Sequence, residues 1–290
     1  MKRGWVGPAV VVSLLAALLL WSYWPAAVQV WSTWQHNDDY SAGQLVPLVA
    51  AFLAWHERKA LARCRWAPCW WEGMILLTGA QVARIYGLLG GRPLLEQYML
   101  VLTVAGLVLL VAGRQVFRRV AGILLLLFLA VRLPATIHHA ITSPLQRGAT
   151  VGAAFLLDAF GLRVGREGNI LLLNGQTPLA VAEACGGLRM LVAFLLVAAF
   201  IAYLVKRPRW HKAVLLLSSV PVAVLCNILR IFVTAVLTLR VSTAAGEAFL
   251  HDGAGLMMMP AAVLLLFAEL RLLDRLIVPE PVWPQEPLTE

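Results

Sequence analysis

A thiol, a guanidinium and an imidazole interrupt a chain that is otherwise mostly apolar. Cys185 stands in Glu183-Ala184-Cys185-Gly186-Gly187-Leu188-Arg189, Arg230 in Asn227-Ile228-Leu229-Arg230-Ile231, and His251 in His251-Asp252-Gly253-Ala254-Gly255. Each lies in or at the edge of a different hydrophobic segment. Together the three residue types make a cysteine acyl-transfer site: the thiolate attacks, the imidazole moves protons and the guanidinium holds an oxyanion. Each has a plainer reading. The thiol could be a small buried hydrophobe, the arginine a structural cation and the histidine an interfacial side chain. Prediction of all three at the same depth of a membrane favours the chemical reading.

That depth comes from the elements that carry them. Hydrophobic residues make up 61% of the chain and charged residues 13%, with a mean hydropathy of +0.80. Such a composition excludes an ordinary soluble domain. Several apolar runs approach the roughly 20 residues a helix needs to cross a hydrocarbon core, and the alternating pattern of a membrane β-barrel is absent. The reading is therefore an all-α polytopic membrane protein with about eight transmembrane helices: Val6 to Val28, Ser41 to Trp55, Trp71 to Leu89, Leu94 to Ala112, Val120 to Ile137, Gly186 to Val205, Ala213 to Leu239, and Gly253 to Leu270. Residues 1–277 form one domain and 278–290 a cytoplasmic Pro-rich tail. The first run is too long for the core of a signal peptide and reads as a retained span.

The formal net charge of +9 follows topology and does not call for nucleic acid. With both termini cytoplasmic, the inner segments hold Lys2 and Arg3, the Arg58 to Arg65 cluster, Arg114 to Arg119, Lys206 to Lys212, Arg271 and Arg275. The outer segments hold Arg92, Arg147, Arg163, Arg166 and Arg240, so the bias obeys the positive-inside rule. On the outer side, Ile141 to Leu162 reads as an amphipathic helix on the membrane surface or against the bundle. A β-hairpin is expected around Asn174-Gly175, just before the sixth span.

In this layout the sixth and eighth spans start at the outer face, where Cys185 and His251 stand. A helix N-terminus favours a thiolate and can donate to an oxyanion. Arg230, about 17 residues into the inward-starting seventh span, reaches roughly 25 Å, into the outer part of the membrane. Arg189 is one turn below Cys185, and Asn227 is one turn before Arg230, placed to orient it. Cys226, mid-helix, reads as a buried apolar side chain. Cys64 and Cys69, with His56 nearby, are a weak zinc spacing without a further ligand pair. His36, His138 and His139 read as interfacial histidines. Arg84 and Arg132 interrupt apolar stretches without an assigned role.

These motifs resemble those of the exosortase/archaeosortase family. The resemblance runs through Asp38-Asp39-Tyr40-Ser41-Ala42-Gly43-Gln44, Gly165-Arg166-Glu167-Gly168-Asn169-Ile170, the segment around Cys185, and those at Arg230 and His251, in the family's order. It departs at Gly186, where relatives often carry serine, and at Ala42, where a histidine is common.

The resemblance implies a bacterial inner-membrane thiol protease and transpeptidase with its site facing the periplasm. It implies that Cys185, Arg230 and His251 are catalytic; by their own positions beside these, Glu183, Arg189 and Asn227 are expected to support them, and no cofactor or metal is expected. Its partners would be membrane lipids, an acceptor nucleophile, and exported proteins ending in a Pro-Glu-Pro-type motif, a transmembrane helix and a basic tail. The chain's own Pro279-Glu280-Pro281 falls in the expected cytoplasmic tail and is not read as such a signal. The competing readings are an anion transporter using Arg230, Arg189 and Arg84, an intramembrane protease using Glu183, and an assembly factor for exopolysaccharide or surface-protein export.

Overall fold

The computed structural model describes residues 6–174, 177–180, 187–205, 207–249 and 254–276. A helix lies over each of the eight expected stretches. In chain order the helices are α1 (Val6–Ser22), α2 (Trp24–His36), α3 (Leu45–His56), α4 (Arg58–Arg63), α5 (Trp70–Leu89), α6 (Pro93–Val111), α7 (Gly113–Leu127), α8 (Ala135–Ala159), α9 (Leu188–Leu204), α10 (Arg209–Arg240), α11 (Thr243–Ala248) and α12 (Ala254–Leu276). Short 3-10 segments occupy Asp38–Gln44 and Phe128–Ala130. By length and apolar composition alone, α6 and α10 qualify as spans among the described residues, and up to four qualify if each of two bent helix pairs is one span.

Those bends are the main difference from the expected layout. The first run breaks at Tyr23, where the chain turns by 69° into α2. Pro25 in the first turn of α2 has no N–H to continue α1's hydrogen-bond ladder, and its ring favours a helix start. The fifth run ends at Ala130, and α8 leaves α7 at 85°. Pro134 caps α8 in an extended conformation and biases Leu133 away from helix.

α8 runs across the bundle. It buries Thr142, Ala149, Thr150, Ala153 and Leu157, a single helical face. Ala149, Ala153 and Leu157 pack with Ile231 and Ala235 of α10. The expected hairpin is a three-stranded antiparallel meander: β1 (Val164–Glu167), β2 (Ile170–Leu173) and β3 (Thr177–Ala180). In register, Glu167 pairs with Ile170 and Leu173 with Thr177. The additional strand, β1, turns at Gly168, where φ is +62°. Leu171 and Leu173 are buried against α8 and α10, so the sheet covers the end of the bundle where α10 finishes.

Three helices set the frame for the site. Ala198 and Ala202 near the end of α9 cluster with Leu266 and Leu270 near the end of α12, and with Leu215 near the start of α10. Leu188 and Met190 at the start of α9 cluster with Ala223 and Cys226, further along α10, so α9 and α10 run against one another. Counting 1.5 Å per residue from the shared layer, the start of α9 lies ~15 Å along the bundle and Arg230 ~22 Å. The start of α9 therefore reaches the level of the C-terminal half of α10.

Candidate functional site

Gly187 precedes α9 with φ +65°. A residue with a Cβ is strained in that conformation, so a glycine at this position is a backbone requirement. Leu188, the first residue of α9, is buried in a cluster with Tyr40, Ala42, Ala223 and Cys226. Arg189 points outward and is exposed. Glu183, Cys185 and His251 lie outside the described residues, as do Gly186 and Asp252.

On α10, Asn227, Arg230 and Thr234 share one face by their spacing. Asn227 is 2% exposed and Thr234 1%. Among the described residues neither atom of the Asn227 amide, nor the Thr234 hydroxyl, has a hydrogen-bond partner. Asn227 thus shares the face of Arg230 without a hydrogen bond to it. A buried amide unsatisfied at both ends costs about 1–3 kcal/mol per group, and such groups concentrate where a protein binds or reacts. Arg230 is half-buried. Cys226, one residue before Asn227, is in the apolar cluster at 1% exposure, as the reading of a buried hydrophobe has it.

The segment Asp38–Gln44 packs across the first turns of α9 and holds the site's other polar groups. Asn37 caps it by accepting from the Asp39 N–H at 3.1 Å. Gln44 donates to the Trp34 carbonyl at 3.1 Å, and the Trp34 indole donates to the Ala130 carbonyl at 2.9 Å. Gly43 lies under that indole, where a Cβ would come within 2.5 Å of Nε1, so the close approach demands glycine.

Tyr40, 5% exposed, shares a 2.8 Å hydrogen bond with His138 Nδ1. His138 Nε2 is 3.6 Å from the Asp39 carboxylate. Burial pushes the Asp39 carboxyl above its usual value. His138 partly offsets this, Asp38 adds to the rise and Arg189 opposes it. Burial likewise raises the Tyr40 phenol, which stays an O–H throughout the physiological range. Sequence reasoning left His138 as an interfacial histidine. The available signal was that Asp38-Asp39-Tyr40 and His138-His139 both stand on the expected outer side.

Arg84 belongs elsewhere. Its guanidinium donates to Glu96 Oε1 at 3.0 and 2.8 Å and to Ser22 Oγ at 2.7 Å, and lies 3.9 Å over the Tyr23 ring. Tyr23 in turn bonds Thr103 at 2.8 Å, and Gln81 donates to both hydroxyls. This network ties α5 and α6 to the break between α1 and α2. Arg84 is neutralised there, which removes one of the cations an anion-transport site required. Cys64 donates to the Ala60 carbonyl at 3.4 Å. Among the described residues no three His, Cys, Asp or Glu side chains come together as a metal site.

No curated protein and no solved structure matches the chain. The family model described as transmembrane exosortase (Exosortase_EpsH) matches residues 34–268, from the tryptophan that anchors the Asp38–Gln44 segment to the layer shared by α9, α10 and α12. With most of its length matched, and with a helical bundle of membrane-protein composition, this chain belongs to the transmembrane exosortase family.

Proposed function

We propose that the protein is a membrane-embedded cysteine peptidase and transpeptidase acting on exported proteins with a C-terminal sorting signal. One observation supports this most: α9 begins at the level of the C-terminal half of α10, which carries Arg230. Cys185 stands three residues ahead of Leu188, and His251 three ahead of Ala254.

In the proposed reaction the Cys185 thiolate attacks the scissile carbonyl, and Arg230 stabilises the oxyanion that forms. The C–N bond breaks as His251 gives a proton to the leaving amine, and the exported part remains as a thioester. His251 then takes a proton from the acceptor, whose attack breaks the C–S bond and restores the thiolate. Glu183 and Arg189 support the thiol, and Asn227 supports Arg230. The enzyme would reside in a bacterial inner membrane with both termini cytoplasmic and the site facing the periplasm. Its substrate tail would carry a Pro-Glu-Pro-type motif, a transmembrane helix and basic residues.

The test is to trap the intermediate. Full-length enzyme incubated with such a tail-bearing protein and no acceptor should form a covalent adduct that hydroxylamine removes. Cys185→Ala should abolish it, and Cys226→Ala should leave it intact. Undiminished cleavage by Cys185→Ala would overturn the cysteine mechanism.

A further inference from the structure

We propose that a crevice between α7, α9 and α10 binds one acyl chain of an anionic phospholipid, whose phosphate is held by Arg118, Arg209 and Lys212. This goes beyond the proposed function and rests on no part of the cysteine mechanism.

The crevice has a volume of about 460 Å³ and is lined by Gly122 and Leu125 of α7, Ala199 and Ala202 of α9, and Lys212 and Leu216 of α10. Small residues leave the room: a Cβ added at Gly122 would meet nothing nearer than a Tyr203 ring carbon at 3.9 Å. Along α9 the crevice extends from Leu195 to Tyr203, roughly 12 Å of helix. One leaflet of hydrocarbon is about 15 Å deep, so the crevice offers a bed for most of one acyl chain.

Its polarity is one-sided. Among the described residues that line it, only Tyr203 and Lys212 carry a polar side-chain group, and both stand where α9 ends and α10 begins. The other end is lined by Phe128, Leu129 and Leu195, all apolar. Two further cations fall on the polar rim by helical spacing: Arg118 is one turn before Gly122 on α7, and Arg209 one turn before Lys212 on α10. Both are exposed. Among the described residues no carboxylate pairs with Arg118, Arg209 or Lys212, whereas neighbouring Arg119 is taken by Glu57 at 2.6 Å.

Three unneutralised cations from two helices, at one end of an apolar trough, match a phosphodiester with a hydrocarbon chain below it. Basic pockets between membrane helices recognise anionic headgroups in this way. A helix ending in a basic tail, the substrate element of the proposed reaction, is opposed by the same charges. A zwitterionic lipid brings its own cation to the rim and gains less.

Native mass spectrometry of the full-length protein tests this. Protein in detergent is equilibrated with phosphatidylglycerol, or with phosphatidylcholine carrying the same chains, and the retained lipid is counted. One phosphatidylglycerol should be retained at concentrations where phosphatidylcholine is not. Arg118→Gln and Lys212→Gln should each weaken its apparent affinity about fivefold, and together more. Gly122→Leu puts a side chain into the crevice and should weaken phosphatidylglycerol at least as much, with every cation intact. Gly79→Leu makes the same change at an exposed glycine of α5 that faces open space, and should have no effect.

Equal retention of the two lipids by the unaltered chain would overturn the proposal without any variant. So would charge variants that bind as the parent does, or a loss of binding in Gly79→Leu as large as in Gly122→Leu. Should Gly122→Leu fail to fold, the exposed Arg118 variant and the comparison of lipids still decide. The adduct experiment stands apart, because Cys185→Ala should retain phosphatidylglycerol as the parent does whether or not it cleaves.

Discussion

Asn227 poses the sharpest question at the scale of single residues. Its amide is buried at 2% exposure, and neither end has a hydrogen-bond partner among the described residues, on the face of α10 that carries Arg230. A side chain selected for stability would not be left so. Leucine has similar volume and no polar atoms, so Asn227→Leu should hold or raise stability, by about 1 kcal/mol, while lowering turnover. Thermal unfolding in detergent and a cleavage assay together check this. A variant both less stable and fully active would make the amide structural. The position of Asn227 beside Arg230 was legible from spacing, because i and i+3 share a helix face. The unsatisfied amide was not, since spacing fixes a face but not the rotamer or the partner. His138 shows the reverse case. A histidine at the end of an apolar run looks interfacial until the Asp38–Gln44 segment, 98 positions from Tyr40 to His138 in the chain, is folded against it.

Among the elements, the break between α1 and α2 has the clearest physical cause. The run from Val6 looks continuous in composition, and hydropathy alone cannot mark a 69° bend inside it. Pro25 was a local signal, but the hold on the bend comes from α5 and α6 through Arg84, Glu96 and the Ser22-Tyr23 pair. Glu96 is 4% exposed at its side chain and Arg84 14%. Removing only the carboxylate charge leaves a cation stranded among apolar helices. Glu96→Gln should therefore destabilise by about 3 kcal/mol, and Arg84→Met combined with Glu96→Leu should recover much of that loss. Equilibrium unfolding of the single and combined variants measures the coupling. A fully additive result would show that the pair does not act as a unit. The third strand was likewise hidden, because Val164–Glu167 has no alternation of apolar residues. Its pairing is imposed by the tight turn at Gly168 and by β2 lying on α8.

For the molecule as a whole, the fold sorts the charges into two ends. Glu57, after α3, pairs with Arg119 of α7 at 2.6 Å, and the Arg65 N–H donates to Gln115 at 2.9 Å. The basic stretches around Arg58 to Arg65 and Arg114 to Arg119 therefore lie together. Tyr203, near the end of α9, packs with the α3 and α7 residues of that end, which brings the start of α10 and its basic residues to the same side. The opposite end carries Asp38, Asp39, His138, Arg189 and the sheet. In the proposed topology α3, with only 12 residues, counts as a span, so that the Arg58 to Arg65 cluster lies on the cytoplasmic side with Arg114 to Arg119. Basic loops are retained in the cytoplasm. Reporter fusions after Arg65, Arg119, Arg209 and Arg275 should accordingly read cytoplasmic, and those near Asp39, Gly175 and Gly246 periplasmic. The fusion after Arg65 is the discriminating one. A periplasmic signal there, with a cytoplasmic signal after Arg119, would separate two segments that the Glu57–Arg119 pair holds together, and would exclude this arrangement of α3 and α7 in the membrane.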